Sequence, residues 1–190
     1  MQANKWTSQL LRITSRFQQT FGTLTAEQLN WKPDPSIWSI AQNIDHLMVI
    51  NKTYFPILTA LQEGTYRPPF MARIGFMVNF LGNTLLKAVQ PDRKKKTKTF
   101  PLWEPTQSEV SADILKRFEE HQVELARMIE HTTEAVEKGT VIASPANRNI
   151  VYKLETAFDI IVAHEHRHFE QAKEVLERLP GQDSAPDNIA

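Results

Sequence analysis

Apolar residues recur at helical spacing along nearly the whole of this chain, and no stretch alternates apolar and polar residues as a half-buried strand would. That pattern limits the fold to packed helices. An opening helix over about residues 7–19 carries Leu10, Leu11, Ile13 and Phe17. Thr25 with Gln28 three residues later reads as a capping box for one short turn of helix. The prolines at 33 and 35 then force residues 31–35 to be extended or turned. A second box, Ser39 with Gln42, opens a long helix whose inward stripe runs Asn43, His46 or Leu47, Ile50, Tyr54, Ile57, Leu61 and ends near Gly64. Pro56 lies within it and is expected to bend it.

Residues 65–105 read as a long irregular insertion broken by one helical stretch at about 74–87. Its basic run at 93–98 reads as a solvated loop, with a phosphate or anionic-lipid contact as the sharper alternative. Thr106 and Glu109 suggest a further capping box for a third long helix reaching about residue 136, stopped by Gly139. A loop through residues 144–147 leads to a fourth long helix over about 152–179. The polar tail 181–190 has few anchors, so the expected domain is 1–180 with a disordered tail. Four long helices and one inserted short helix predict an all-α four-helix bundle.

Composition excludes several classes of function. Lys plus Arg and Asp plus Glu both number 22, so there is no basic excess to attract nucleic acid. Cysteine is absent, which removes disulfides, thiolate metal sites and a cysteine nucleophile. The first residues do not read as a signal peptide, and the apolar segment 70–89 is interrupted by Arg73, Asn79, Asn83 and Lys87. A surface-lying or partner-facing helix is the better reading of that segment than stable membrane insertion, and the expected location is cytoplasmic.

Six histidines remain to be explained. His164 and His168 stand four apart, on one face of the fourth helix and about 5–6 Å apart at Cβ. The stripe Ile161, His164, His168, Gln171, Val175 turns that face inward, while His166 falls on a flank or toward solvent. Two such imidazoles can grip one ion, and His46 on the second helix is the candidate third ligand. A single core-facing histidine is more often a hydrogen-bonded packing residue, and that reading stands beside the metal reading for His46. His121 and His131, set among Glu119, Glu120, Glu130 and Glu134, read as exposed. A di-iron carboxylate bundle needs two Glu-x-x-His motifs, and only Glu165 to His168 supplies one.

The stretches Leu24-Thr25-Ala26-Glu27-Gln28-Leu29-Asn30-Trp31-Lys32-Pro33 and Trp38-Ser39-Ile40-Ala41-Gln42-Asn43-Ile44-Asp45-His46-Leu47, with His164-Glu165-His166-Arg167-His168-Phe169-Glu170-Gln171, resemble the DinB/YfiT-like superfamily. The resemblance runs from the first helix to about Leu179. It implies a four-helix bundle with a crossover connection and a metal centre on His46, His164 and His168. It also implies a metal-dependent thiol S-transferase or a hydrolase, acting on a small-molecule substrate, with a low-molecular-weight thiol as one reactant, and commonly a homodimer. The sequence departs from the family at Phe169-Glu170 and in the length of the insertion, which leaves the ligands in place but not the substrate class.

An ion on three imidazoles keeps open positions for a water or a thiol. Zinc, nickel, manganese and iron are the candidate ions. Asn43, one turn before His46, and Gln171, near His168, are candidates for holding a ligand or touching substrate, or are ordinary helix polarity. The alternative function is a non-catalytic metal-binding stress or interaction protein.

Overall fold

The computed structural model describes residues 4–90, 104–105 and 109–180. The basic run 93–98, the box at Thr106 and the tail 181–190 lie outside the described residues. Seven α-helices are described: α1 (Lys5–Phe21), α2 (Ala26–Asn30), α3 (Ile40–Gln62), α4 (Gly75–Val89), α5 (Ile114–Glu130), α6 (Thr133–Glu137) and α7 (Leu154–Leu176). A 3-10 turn at Phe70–Arg73 precedes α4.

Both anticipated capping boxes at the start of the chain are formed. The Thr25 hydroxyl accepts from the Gln28 amide at 3.2 Å while the Gln28 side chain accepts from the Thr25 amide at 2.9 Å. Ser39 and Gln42 make the same reciprocal pair, both at 3.1 Å, at the start of α3. Each pair satisfies two backbone donors that the first turn of a helix leaves open. The helix α3 continues through Pro56.

The bundle is formed by α1, α3, α5 and α7. Both α5 and α7 pack on α1 and on α3. The successive long helices α1 and α3 therefore take opposite corners, which makes the topology a crossover one. The helix α3 is enclosed along its first half, with Ile40 to Met48 all buried.

Two apolar clusters fill the interior. One end holds Phe17, Phe21, Phe118 and Phe169, with Phe17 4.9 Å from Phe118 and 5.2 Å from Phe169 between ring centroids, both edge to face. The other holds Leu10, Tyr54, Leu58, Leu125, Tyr152 and Phe158. Burying a ring of this kind contributes about 1.5–3 kcal/mol relative to exposing it. Between the clusters, at the same level on α3, α5 and α7, lies a layer of buried polar residues: His46, Asn51, Gln122, Glu165 and His168.

Four expectations are corrected. The link before α7 is a β-hairpin, β1 (Val141–Ser144) antiparallel to β2 (Asn147–Lys153), with Ile142 facing Tyr152. Its adjacent residues Ile142, Ala143 and Ser144 are all buried, so no period of two was there to be read. The third long helix stops at Glu130, where Thr132 turns its hydroxyl back to the Ile129 carbonyl at 2.9 Å and α6 begins afresh. Gly139, at φ +64°, follows the short α6 rather than stopping the third long helix. The helix α7 starts at Leu154 rather than Tyr152 because β2 takes the preceding residues, and it ends at Leu176. His121 is buried, at 4% exposure, because α5 turns it toward Phe55 of α3 while its acidic neighbours face outward. His131 is exposed, as expected. No helix among the described residues is long and apolar enough to cross a membrane.

Candidate metal centre

Three imidazoles from two helices converge in the polar layer. His46 comes from α3, and His164 and His168 come from successive turns of α7. One nitrogen of each lies within 4.8 Å of the others, and no carboxylate belongs to the group. The Nε2 atoms of His164 and His168 are 3.0 Å apart. Two nitrogens that each lie about 2.0–2.1 Å from one ion, at angles between square and tetrahedral, stand roughly 2.9–3.4 Å apart, so the pair fits an ion. The His46 ring centroid is 4.6 Å from that of His168 and 5.3 Å from that of His164. These three residues could hold a metal ion.

The orientation of His168 is set by Asn43. The Asn43 side-chain amide donates to the Ser39 carbonyl at 2.9 Å, which turns its oxygen toward the imidazole. That oxygen accepts from His168 Nδ1 at 2.7 Å. A neutral imidazole that donates from Nδ1 has its lone pair on Nε2, the atom beside His164. Helix spacing produces the arrangement, since Asn43 sits one turn past the cap residue Ser39 and close to one turn before His46.

Electrostatics favours the neutral form of the two imidazoles on α7. Burial pushes His168 well below the usual histidine value, and His164, His46 and Arg167 add to the shift. His164 is lowered by desolvation first and then by His46 and Arg167. Neutral rings offer the lone pairs that a metal needs. Arg167 itself donates to the Ala88 carbonyl at the end of α4, 2.9 Å away.

Two features of the surroundings had no counterpart in the sequence reading. The first is Trp38, whose ring centroid lies 4.6 Å from that of His46 and 5.9 Å from that of His168, nearly parallel to the latter. It covers two of the three imidazoles. In the sequence it stands just before the cap residue of α3, at the head of a stretch that carries the family resemblance, with nothing to mark its contact with the imidazoles. The second is a network behind the histidines. Glu165, fully buried, accepts from Asn51 at 2.9 Å and from Gln122 at 2.7 Å, joining α3, α5 and α7. Burial pushes its carboxyl up to about 8 against the opposing effect of those two donors. Glu165 thus turns toward amides, in keeping with the rule that neighbours in a helix do not share a face. Gln171 is half-buried, and Asp45 is buried. His166 sits on the flank of α7, with Nδ1 3.4 Å from Arg16.

A sequence profile described as the DinB superfamily matches residues 9–172 of the chain. The protein belongs to the DinB superfamily. The match spans α1 through most of α7 and so contains every residue of the histidine cluster. No curated protein and no solved structure matches the chain. Within this DinB-superfamily protein the crossover bundle brings His46 to the pair on α7 across 118 residues of chain, a juxtaposition that spacing alone does not dictate.

Proposed function

We propose that the protein is a metal-dependent enzyme in which His46, His164 and His168 hold one divalent ion, and that its reaction is thiol transfer or hydrolysis on a small molecule. The observation that carries this reading is the cluster itself: three imidazoles with one nitrogen each within 4.8 Å of the others, and no carboxylate in the group. A divalent ion held there supplies Lewis acidity, lowering the pKa of a water or thiol that reaches it toward neutrality. The remaining work falls to the chain. Asn43 keeps the proton of His168 on Nδ1, so that Nε2 stays available to a ligand. Trp38 shields the rings of His46 and His168 from water. His46 and His168 are buried, whereas His164 retains exposed surface, so a substrate approaches from the His164 side. Of the candidate ions, zinc, nickel and iron suit imidazole donors better than manganese, which prefers oxygen ligands, and a low-molecular-weight thiol suits the open positions.

The test is metal content of untagged protein by plasma mass spectrometry, for the wild type, His164→Ala and Asn43→Ala. Wild-type protein should carry close to one ion per chain and His164→Ala essentially none. Asn43→Ala should bind about 10–100-fold more weakly, the usual effect of removing a group that orients a ligand. A wild-type protein that takes up none of the four ions sinks the proposal. An ion retained without thiol-transfer or hydrolase activity would instead assign a non-catalytic metal-binding role.

A further inference from the structure

We propose that the face built from α4, the 3-10 turn before it and the β-hairpin docks onto an anionic phospholipid bilayer. Phe70, Phe76 and Phe80 are 72%, 73% and 64% exposed, three of the five large apolar side chains that stand out in solvent among the described residues. Scattered exposed apolar residues are ordinary, but three aromatic rings on adjoining elements form a patch. On α4, Phe76, Phe80 and Lys87 fall within about 40° of one another around the helix axis. The opposite side of α4 holds Val78 and Gly82, which are buried where the helix packs on β2 and α7. The outward stripe is therefore aromatic and cationic, and the inward side is already occupied.

Charge complementarity selects the occupant. No aspartate or glutamate occurs in residues 64–90 or 139–153, although the whole chain has 22. The same two segments contain Arg67, Arg73, Lys87, Arg148 and Lys153. On α7, which packs against α4, Glu155 lies 3.3 Å from Lys153 and Asp159 lies 3.2 Å from Lys5, so both carboxylates are paired. In a chain of zero net charge, these adjoining elements thus carry exposed aromatic rings and cations with no acidic residue of their own, and the Arg73 guanidinium lies 6.0 Å from the Phe70 ring centroid. Exposed rings seek the boundary between headgroups and acyl chains, and the flanking cations seek anionic lipid headgroups. No described helix can span a bilayer, so the association is peripheral.

The experiment is sedimentation of full-length protein with vesicles of phosphatidylcholine alone and of phosphatidylcholine with about one-third phosphatidylglycerol. The wild type should sediment with the anionic vesicles and stay free of the neutral ones, and salt should release it. Phe76→Ser with Phe80→Ser should lower the partition coefficient about tenfold or more. Arg73→Glu with Lys87→Glu should lower it by at least a similar factor. Circular dichroism and metal content, unchanged in both variants, establish that they fold. Absence of wild-type binding to anionic vesicles overturns the proposal. So does binding that survives Phe76→Ser with Phe80→Ser, which would hand the attraction to the run at 93–98. A wild-type dimer in sedimentation equilibrium that the phenylalanine variant dissociates would assign the face to a second copy of the chain, and also overturns it.

Discussion

His121 shows how a single residue can burden the fold that contains it. Its ring stacks on Phe55 at 5.5 Å and 15°, yet neither ring nitrogen has a hydrogen-bond partner among the described residues. Burial, with Lys52 adding to it, pulls its pKa down to about 4 from 6.5. Between those values the unfolded chain binds a proton that the native chain refuses. Stability therefore rises with pH across about 4 to 6.5, is complete above that window and is lost as pH falls through it. His121→Phe keeps a flat ring against Phe55 and removes both unpartnered atoms. It should raise stability by about 1 kcal/mol at neutral pH and flatten this part of the pH dependence. Urea denaturation at pH 5 and pH 7.5 checks both points, and an undiminished slope in the variant would show that His121 is not its source. The burial of His121 could not be read from the sequence, because Glu119 and Glu120 beside it advertise an exposed face. Direction around α5 decides the matter, and only packing fixes that direction.

At the scale of elements, legibility tracked locality. The capping boxes at Thr25 and Ser39 depend on backbone groups within one turn, and sequence alone located both. The hairpin depends on burial by distant elements, and its adjacent buried residues left no alternating signature. One consequence of that burial is measurable at Gly82. A methyl group there would sit 3.0 Å from Tyr152 Cβ and 3.1 Å from Thr156 Cγ2, so α4 can approach β2 and α7 this closely only without a side chain. Tyr152 cannot retreat easily, since its hydroxyl is 3.0 Å from that of Tyr54 in the core. Gly→Ala gains up to about 1 kcal/mol of helix propensity. Overpacking costs about 1–3 kcal/mol, so the clash should win. Gly82→Ala should lower the thermal midpoint, whereas Gly75→Ala, which meets nothing within 4 Å, should hold or raise it. Equal midpoints for the two variants would contradict the close approach.

For the molecule as a whole, the polar layer is the feature that sequence disclosed only in part. The pair His164 and His168 was visible from spacing. The third member, His46, was a candidate from its place on the second helix, and the family resemblance joined it to the pair, because its meeting with α7 is a product of the crossover bundle. The network of Asn51, Gln122 and Glu165 was invisible, since each is a lone polar residue in a stripe of another helix. An ion binding this layer would be held by the native chain and not by the unfolded one. At a hundredfold excess over Kd such an ion adds about 2.7 kcal/mol of stability. For a chain of this size that corresponds to a rise of roughly 5–10 °C in thermal midpoint. Differential scanning calorimetry with and without chelator should show the rise in the wild type and none in His46→Ala. A midpoint indifferent to added ion would mean that folding and binding are not linked.

All three candidate ligands stand on α3 and α7, and none on α4 or the hairpin. The residues proposed to grip an ion and those proposed to meet a bilayer thus lie in separate stretches of the chain. Substitution in residues 64–90 or 139–153 can therefore reshape that face while leaving the three histidines untouched.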